Sequence, residues 1–288
     1  ISVRGAVERV TTLIVGGRGM LGRALEEVLA PTPITVDIEE IDITRFDSVW
    51  SLFSNVHPTT VVNAAAMTDV DGCEGREDLA RRVNAEGVQN LADACRECGA
   101  RFVHVSTDYV FDGTGTRPYR ENDPVHPVSA YGRTKLEGEE AALLYPDTLV
   151  VRVSWLFGFG REHFLSLMAR LIREGKNLKV IDDQTGRVTY SMDAARAIAE
   201  LLERKATGIV HFANSGVSTR YDQVRWMAET LGKPDHPIEP VPSSAFPQIA
   251  RRPEYSVLDT TRYEQVTGQT PPPWQEAVRD FLTRSGWL

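Results

Sequence analysis

Tyr131 and Lys135, in the run YGRTK, stand four residues apart in a segment that reads as a helix, so both side chains project from one face. The pair suits hydride chemistry. The tyrosine would give a proton to a carbonyl oxygen while hydride arrives at the carbon. A free phenol, with a pKa near ~10, is a poor partner at neutral pH, and an adjacent ammonium would lower it. YxxxK alone is a spacing that two exposed helix residues satisfy by chance. Its meaning comes from what precedes it. The strand-like run RFVHVSTDYVF brings Ser106 and Thr107 to a strand's C-terminal end, where open parallel sheets hold their ligands. A hydroxyl at either position can hydrogen-bond the carbonyl beside the tyrosine.

A second cluster supplies the hydride carrier. The strand TTLIVGG runs into GGRGMLG, where Gly16, Gly19 and Gly22 give GxxGxxG, a variant of the dinucleotide fingerprint. Missing side chains allow the tight turn and the approach of backbone to a pyrophosphate, and the following helix, opening with Met20 and Leu21, turns its positive end toward the phosphates. Asp37, about twenty residues on at the end of the second strand, is placed to bind the adenosine ribose hydroxyls and to repel a 2′-phosphate. Its neighbours Ile38, Glu39 and Glu40 carry no positive charge. Arg18 inside the turn is the one basic group that would hold a 2′-phosphate, and is otherwise a solvated loop residue. NADH is therefore favoured over NADPH. Asn63, Ala64 and Ala65 in VVNAAA lie along the expected cofactor path, although Asn63 also fits an ordinary strand-end turn. Asp42 either touches the adenine or caps the next helix. Lys135 would bind the nicotinamide ribose.

The elements that must position these groups alternate along the first half. Strands are expected at TTLIVGG, ITVDI, TTVVNAAA, RFVHVSTDYVF and TLVVRVSWLFG. Helices are expected at MLGRALEEVLA, SVWSLFSNV, LARRVNAEGVQNLADACREC and YGRTKLEGEEAALL. This βαβα order predicts an α/β, Rossmann-type, doubly wound parallel sheet. Beyond about residue 155 the alternation weakens into the helix HFLSLMARLIREGK, a strand and loop at NLKVIDDQTG, the helix SMDAARAIAELLERK and the strand GIVHFANS, then a proline-rich end. Residues 1–154 with about 188–214 are expected to form the dinucleotide-binding domain. About 155–187 with 215–288 are expected to form a smaller, C-terminal-weighted substrate domain.

The chain has 288 residues, of which 42% are hydrophobic and 25% charged, a balance that places it among globular proteins. A net charge of −8 disfavours nucleic acid as a partner. No run approaches the length of a membrane span, and the opening ISVRGAVERV lacks a signal peptide's apolar core, so a cytoplasmic protein is expected. Three cysteines argue against a disulfide scaffold. Cys95 and Cys98 form a CxxC inside an apparent helix, with no second pair to complete a zinc site, so no metal is expected.

Taken together, GGRGMLG, VVNAAAMTDVDGCE, VNAEG, HVSTDYVFDGTG, YGRTKLEGE, VRVSWLFG, DDQTGRVTY and ARRPEYSVLD resemble the extended short-chain dehydrogenase/reductase superfamily, and within it the dTDP-4-dehydrorhamnose reductase family. The match covers nearly the whole chain. The resemblance implies Thr107, rather than Ser106, with Tyr131 and Lys135 as the catalytic trio. It also implies a sugar pocket lined by Asp108 and Trp155, Arg252 near the nucleotide part of the substrate, and a homodimer. The implied reaction is reduction of the C4 ketone of a dTDP-linked deoxysugar, dTDP-4-dehydro-L-rhamnose first and other dTDP-4-ketosugars as alternatives. The resemblance also admits a non-catalytic regulatory subunit of the kind found beside methionine adenosyltransferase. Departures from the pattern are Met67 after NAAA, Val188 in place of the usual proline of DQxGxPT with Arg187 before it, and Arg220. Trp155 also reads as a core residue, and Arg251 with Arg252 as a solvated pair.

Overall fold

The computed structural model describes residues 10–288. The opening segment read above as lacking a leader's apolar core lies, through residue 9, outside the described residues, as does the start of the unit placed at 1–154. Six strands form one parallel sheet: β1 (Thr12–Val15), β2 (Ile34–Val36), β3 (Thr60–Asn63), β4 (Arg101–Thr107), β5 (Thr148–Val153) and β6 (Gly208–His211), in the order β6-β5-β4-β3-β1-β2. The order reverses beside β1, which has β2 on one side and β3 on the other. A crevice therefore opens beyond the carboxyl ends of β1 and β3, the place where such sheets bind ligands.

Side-chain alternation along the strands sends residues to two separate cores. Ile14, Val62, Val103, Leu149 and Val151 face helices α1 (Met20–Val28) and α8 (Ser191–Glu203). Leu13, Val15, Val61, Phe102 and Val150 face α2 (Phe46–Val56) and α5 (Gly87–Cys98). Apolar burial on both faces explains why the strands read as nearly continuous apolar runs. The first core continues through α7 (Phe164–Arg173) to Val224 and Met227 of α9 (Arg220–Thr230) and to Trp274 and Phe281 of α11 (Trp274–Arg284).

Three segments differ from their sequence-based expectation. The strand expected to run through DYVF stops at Thr107, because the Thr107 hydroxyl accepts the Tyr109 N–H (3.2 Å) and starts a 3₁₀ turn at Asp108–Val110. Two helices precede α5, α3 (Val70–Gly75) and α4 (Glu77–Arg81), and a π-helical turn at Arg82–Glu86 interrupts the long helix expected there. The proline-rich end holds α9, α10 (Thr261–Thr267) and α11. The π turn places Asn84 in the interior. Its amide nitrogen donates to the Met67 carbonyl (3.1 Å) and to the Thr134 hydroxyl (3.2 Å), and its oxygen accepts the Met67 N–H (2.8 Å). Asn84 thus ties the loop after β3 to α6 (Ala130–Leu143), the helix that carries Tyr131 and Lys135. A Cβ at Gly138 would run into the Asn84 carbonyl oxygen, so the glycine is what lets α6 pack this closely.

Candidate active site

A cavity of about 680 Å³ runs from the glycine turn, past α6, to Trp155 and Arg220. At one end the glycines meet distinct demands. Gly16 has φ +87°, and a Cβ there would lie 2.6 Å from the Ala65 nitrogen. Gly22 would drive a Cβ into the Gly16 carbonyl oxygen. Gly19 caps α1 with no side-chain hydrogen bond, so the helix presents its first N–H groups to the crevice. Gly16→Ala is expected to cost about 1–2 kcal/mol from the positive φ alone, with the backbone clash added. A lowered Tm together with an at least tenfold weaker nicotinamide nucleotide affinity would be the signature, read by thermal melting and nucleotide titration.

Beside this turn the Asp37 carboxylate accepts the Arg18 N–H (2.8 Å) and the Ile38 N–H (2.9 Å). The Arg18 guanidinium is paired with Glu39 (2.7 Å) and Glu40 (2.6 Å), so the one basic group on this rim is already matched by two carboxylates. Met20, Leu21, Asp42, Ala64 and Ala65 also line the cavity. Asp42 does not cap α2. Its carboxylate holds Thr44 through the backbone N–H (3.0 Å) and the hydroxyl (2.7 Å). Asn63 stands apart from the wall: it is fully buried, its oxygen accepts the Ala65 N–H (3.1 Å) and its nitrogen meets His104. A free helix end, a glycine cradle that a Cβ would fill and a carboxylate aimed at the turn fit a dinucleotide with its pyrophosphate at α1 and a ribose at Asp37.

In the middle of the cleft β4 and α6 bring Thr107, Tyr131 and Lys135 to one cavity. Ser129 starts α6 by accepting the Gly132 N–H (3.2 Å), which fixes where the first turn and Tyr131 fall. Burial pushes the Tyr131 phenol up, and the neighbouring Thr107 works the other way. The expected lowering by Lys135 is not found. The Lys135 amine is turned to the Val105 carbonyl (2.7 Å) and His104 (3.2 Å), and burial brings it down to about 8. Asp108, 1% exposed, is raised to about 6 by burial, and the nearby Ser256 and the Thr107 hydroxyl, which donates to it (3.0 Å), oppose the rise. One Asp108 carboxyl oxygen and the Ser106 hydroxyl are buried on the cavity wall without a protein partner. Buried polar atoms call for a partner, and on the wall of this cavity a ligand's polar groups can supply it.

At the far end Trp155 has φ +45°, a left-handed conformation that costs energy in a bulky residue and that the surroundings must hold. It is a wall of the cavity as well as a neighbour of the core. A Cβ on Gly186 would come within 2.8 Å of its ring, so a glycine there makes room for the indole. The Arg220 guanidinium carbon lies 4.3 Å from the Trp155 ring centre and 4.8 Å from that of Phe164. Arg220 lines the cavity and makes no hydrogen bond or ion pair among the described residues, so it is a cation oriented by two aromatic faces and left open to an anion. Arg252 is not on the cavity wall. Both its terminal nitrogens are bound to Asp71 (3.1 and 3.0 Å), whose carboxyl it pulls below the usual range.

Sequence reasoning noted Arg220 only as a departure and passed over Arg161, which lines the cavity and donates to Thr68 (3.2 Å), and His104. Nothing local in STRYDQ marks Arg220, because its neighbours across the cleft come from distant segments. His104 is one apolar-strand histidine among buried valines. Val188 is in the core, and Arg187 reaches Thr260 (3.2 Å) rather than the cavity. Cys95 is buried, and Cys98 donates its thiol to the Cys95 carbonyl. Among the described residues no cluster of His, Cys, Asp and Glu is arranged to hold a metal, and no helix is long and apolar enough to cross a membrane.

A family model described as the RmlD substrate binding domain matches residues 10–286. The chain is 39% identical over 264 residues to a dTDP-4-keto-6-deoxy-D-glucose reductase of Streptomyces niveus, covering 90% of this chain and 91% of the relative. Among solved structures, a dTDP-4-dehydrorhamnose reductase of Clostridium acetobutylicum is 36% identical with a TM-score of 0.92, covering 96% of this chain and all of the other. The same enzyme of Bacillus anthracis, solved in complex with NADP, is 30% identical with a TM-score of 0.91, covering 96% of this chain and 99% of that one.

Proposed function

The chain belongs to the RmlD substrate binding domain family, and from that premise we propose that it reduces the C4 ketone of a dTDP-linked 6-deoxysugar, with dTDP-4-dehydro-L-rhamnose as substrate and dTDP-L-rhamnose as product. The carrying observation is one cavity that joins the glycine turn, the Thr107–Tyr131–Lys135 group and the Arg220–Trp155 platform. A bound reduced nicotinamide supplies hydride to the carbonyl carbon. Tyr131 gives its proton to the oxygen, Thr107 holds that oxygen beside the phenol, and Asp108 with Ser106 receives sugar hydroxyls. Trp155 backs the sugar. Arg220 is the cation placed to meet the substrate's diphosphate, a part the sequence reading gave to Arg252.

A second reading has a specific observation behind it. The Streptomyces niveus relative is named for a different 4-keto-6-deoxysugar, and every group that touches the ketone would serve either substrate. Supplying purified protein with dTDP-4-dehydro-L-rhamnose, then with dTDP-4-keto-6-deoxy-D-glucose, and following loss of nicotinamide absorbance with product identification separates the two. No turnover of either sugar would sink the reductase reading.

We also propose NADH as the preferred carrier. Asp37 on the ribose side and the double pairing of Arg18 support this choice, because a 2′-phosphate would face three carboxylates and a cation already matched. Asp37→Asn is expected to lower kcat/KM with NADH by about 10- to 100-fold, the scale of a hydrogen bond to a charged group, while lowering it less with NADPH. Parallel assays with the two nucleotides check this. A wild-type enzyme that favours NADPH would overturn it.

A further inference from the structure

His104 is a fully buried titratable group that the proposed chemistry does not use, and its two neighbours fix where its proton lies. The Ala65 N–H donates to the Asn63 oxygen (3.1 Å), so the amide cannot be turned around, and its Nδ2 faces His104 Nδ1 at 3.1 Å. Asn63 Nδ2 donates. The imidazole nitrogen that accepts carries no proton, so the neutral ring keeps its proton on Nε2. Burial holds His104 in that neutral form. Nε2 in turn lies 3.2 Å from Lys135 Nζ. An ammonium has three donors and no lone pair, so it would meet the Nε2–H donor to donor. An amine has a lone pair to accept it and still donates to the Val105 carbonyl at 2.7 Å.

We propose that His104 is a positioning residue: its tautomer, set by Asn63, holds Lys135 against the sheet as the uncharged amine, and charging Lys135 turns Nζ away from His104 into the cleft. The inference rests on the reading of Lys135 as part of the working group, though its geometry does not depend on which sugar is reduced. Burial of Lys135, which favours its neutral form, acts in the same direction. The other groups around the pair do not replace His104. Glu139, on the same helix, favours the ammonium and is itself matched by Arg152 of β5. Asp108 and Tyr109 after β4 and Cys73 of α3 act on Tyr131.

The test is nitrogen NMR on the full chain with labelled histidine and lysine, the His104 signals being assigned by their loss in His104→Gln. Wild-type protein should show the Nε2–H tautomer and a Lys135 midpoint near about 8. His104→Phe, which removes the donor, should raise that midpoint by about 1 pH unit or more. His104→Gln, whose amide N–H can replace Nε2–H, should bring it back toward wild type. Asn63→Asp keeps the imidazole but accepts from Nδ1, so it should move the ring proton to Nδ1 and raise the Lys135 midpoint as His104→Phe does. If His104→Phe does not fold, the wild-type tautomer and Asn63→Asp still decide. An Nδ1–H tautomer in the wild type, or a Lys135 midpoint unmoved in folded variants, overturns the proposal. The predicted shifts in a protein that turns over neither sugar would support the His104 role and remove only the substrate reading.

Discussion

Replacing Tyr131 by phenylalanine is expected to lower kcat by about 10²- to 10⁴-fold, the usual worth of a positioned general acid, while leaving Tm within a degree or two. The substitution removes one hydroxyl. The ring keeps its packing, including the edge-on contact with Tyr109 at 5.5 Å between centres. Burial pushes the Tyr131 phenol above its ordinary range, so at neutral pH it carries its proton and can donate it. That is the form ketone reduction needs. Reduction should therefore persist through neutral pH and fall only as alkaline pH strips the phenol, whereas alcohol oxidation, which needs the phenolate, should rise with pH over the same range. Single-turnover rates of the wild type and of Tyr131→Phe across pH, in both directions, check these claims. A loss of less than about fivefold would point instead to Asp108, the other buried acid on the wall, raised to about 6 and hydrogen-bonded to Thr107.

Much of this site was legible because its parts are short local patterns. GxxGxxG after an apolar strand needs glycine for reasons of space that hold in any sheet of this kind, and the structure supplies them at Gly16 and Gly22. Tyr131 and Lys135 lie one helical turn apart, so finding the helix found the pair. The six strands were readable as apolar runs because both faces of the sheet are covered. What escaped depends on contacts between distant segments. Arg252 is drawn off by Asp71, 181 residues away in the chain. Arg220 gains its setting from Trp155 and Phe164. The C-terminal helices were hidden by prolines that lie between or at the ends of helices: Pro273 caps α11 and Trp274 begins it. The π turn at Asn84 left no periodic trace, since one extra residue in a helical repeat is smaller than the scatter of an apolar pattern.

A substitution behind the cavity wall should have the largest effect on stability. Arg152, the next-to-last residue of β5 and flanked by Val151 and Val153, is 2% exposed, and Glu139 of α6 is 1% exposed beneath Lys135. Three guanidinium-to-carboxylate hydrogen bonds of 2.6–3.1 Å join them. Arg152 also lies 5.2 Å from the centre of the Phe111 ring and 3.4 Å from His211, whose imidazole burial and Arg152 hold down to about 3. Glu139→Leu leaves a buried guanidinium without its counter-charge and is expected to cost about 3–5 kcal/mol, or on the order of 10 °C in Tm. The double variant Glu139→Leu/Arg152→Met removes both charges and should recover most of that loss, because desolvating the pair offsets much of its attraction. Denaturant and thermal unfolding of the three proteins decide the matter; a single variant within about 1 kcal/mol of wild type would show that water or a shifted side chain satisfies Arg152. The same pair separates stability from chemistry. Glu139 favours the charged form of Lys135, so the double variant should regain its Tm and yet keep a Lys135 midpoint below that of the wild type. Should the midpoint return along with the stability, the lysine's charge would be set by how tightly α6 packs on the sheet and not by the carboxylate one turn below it.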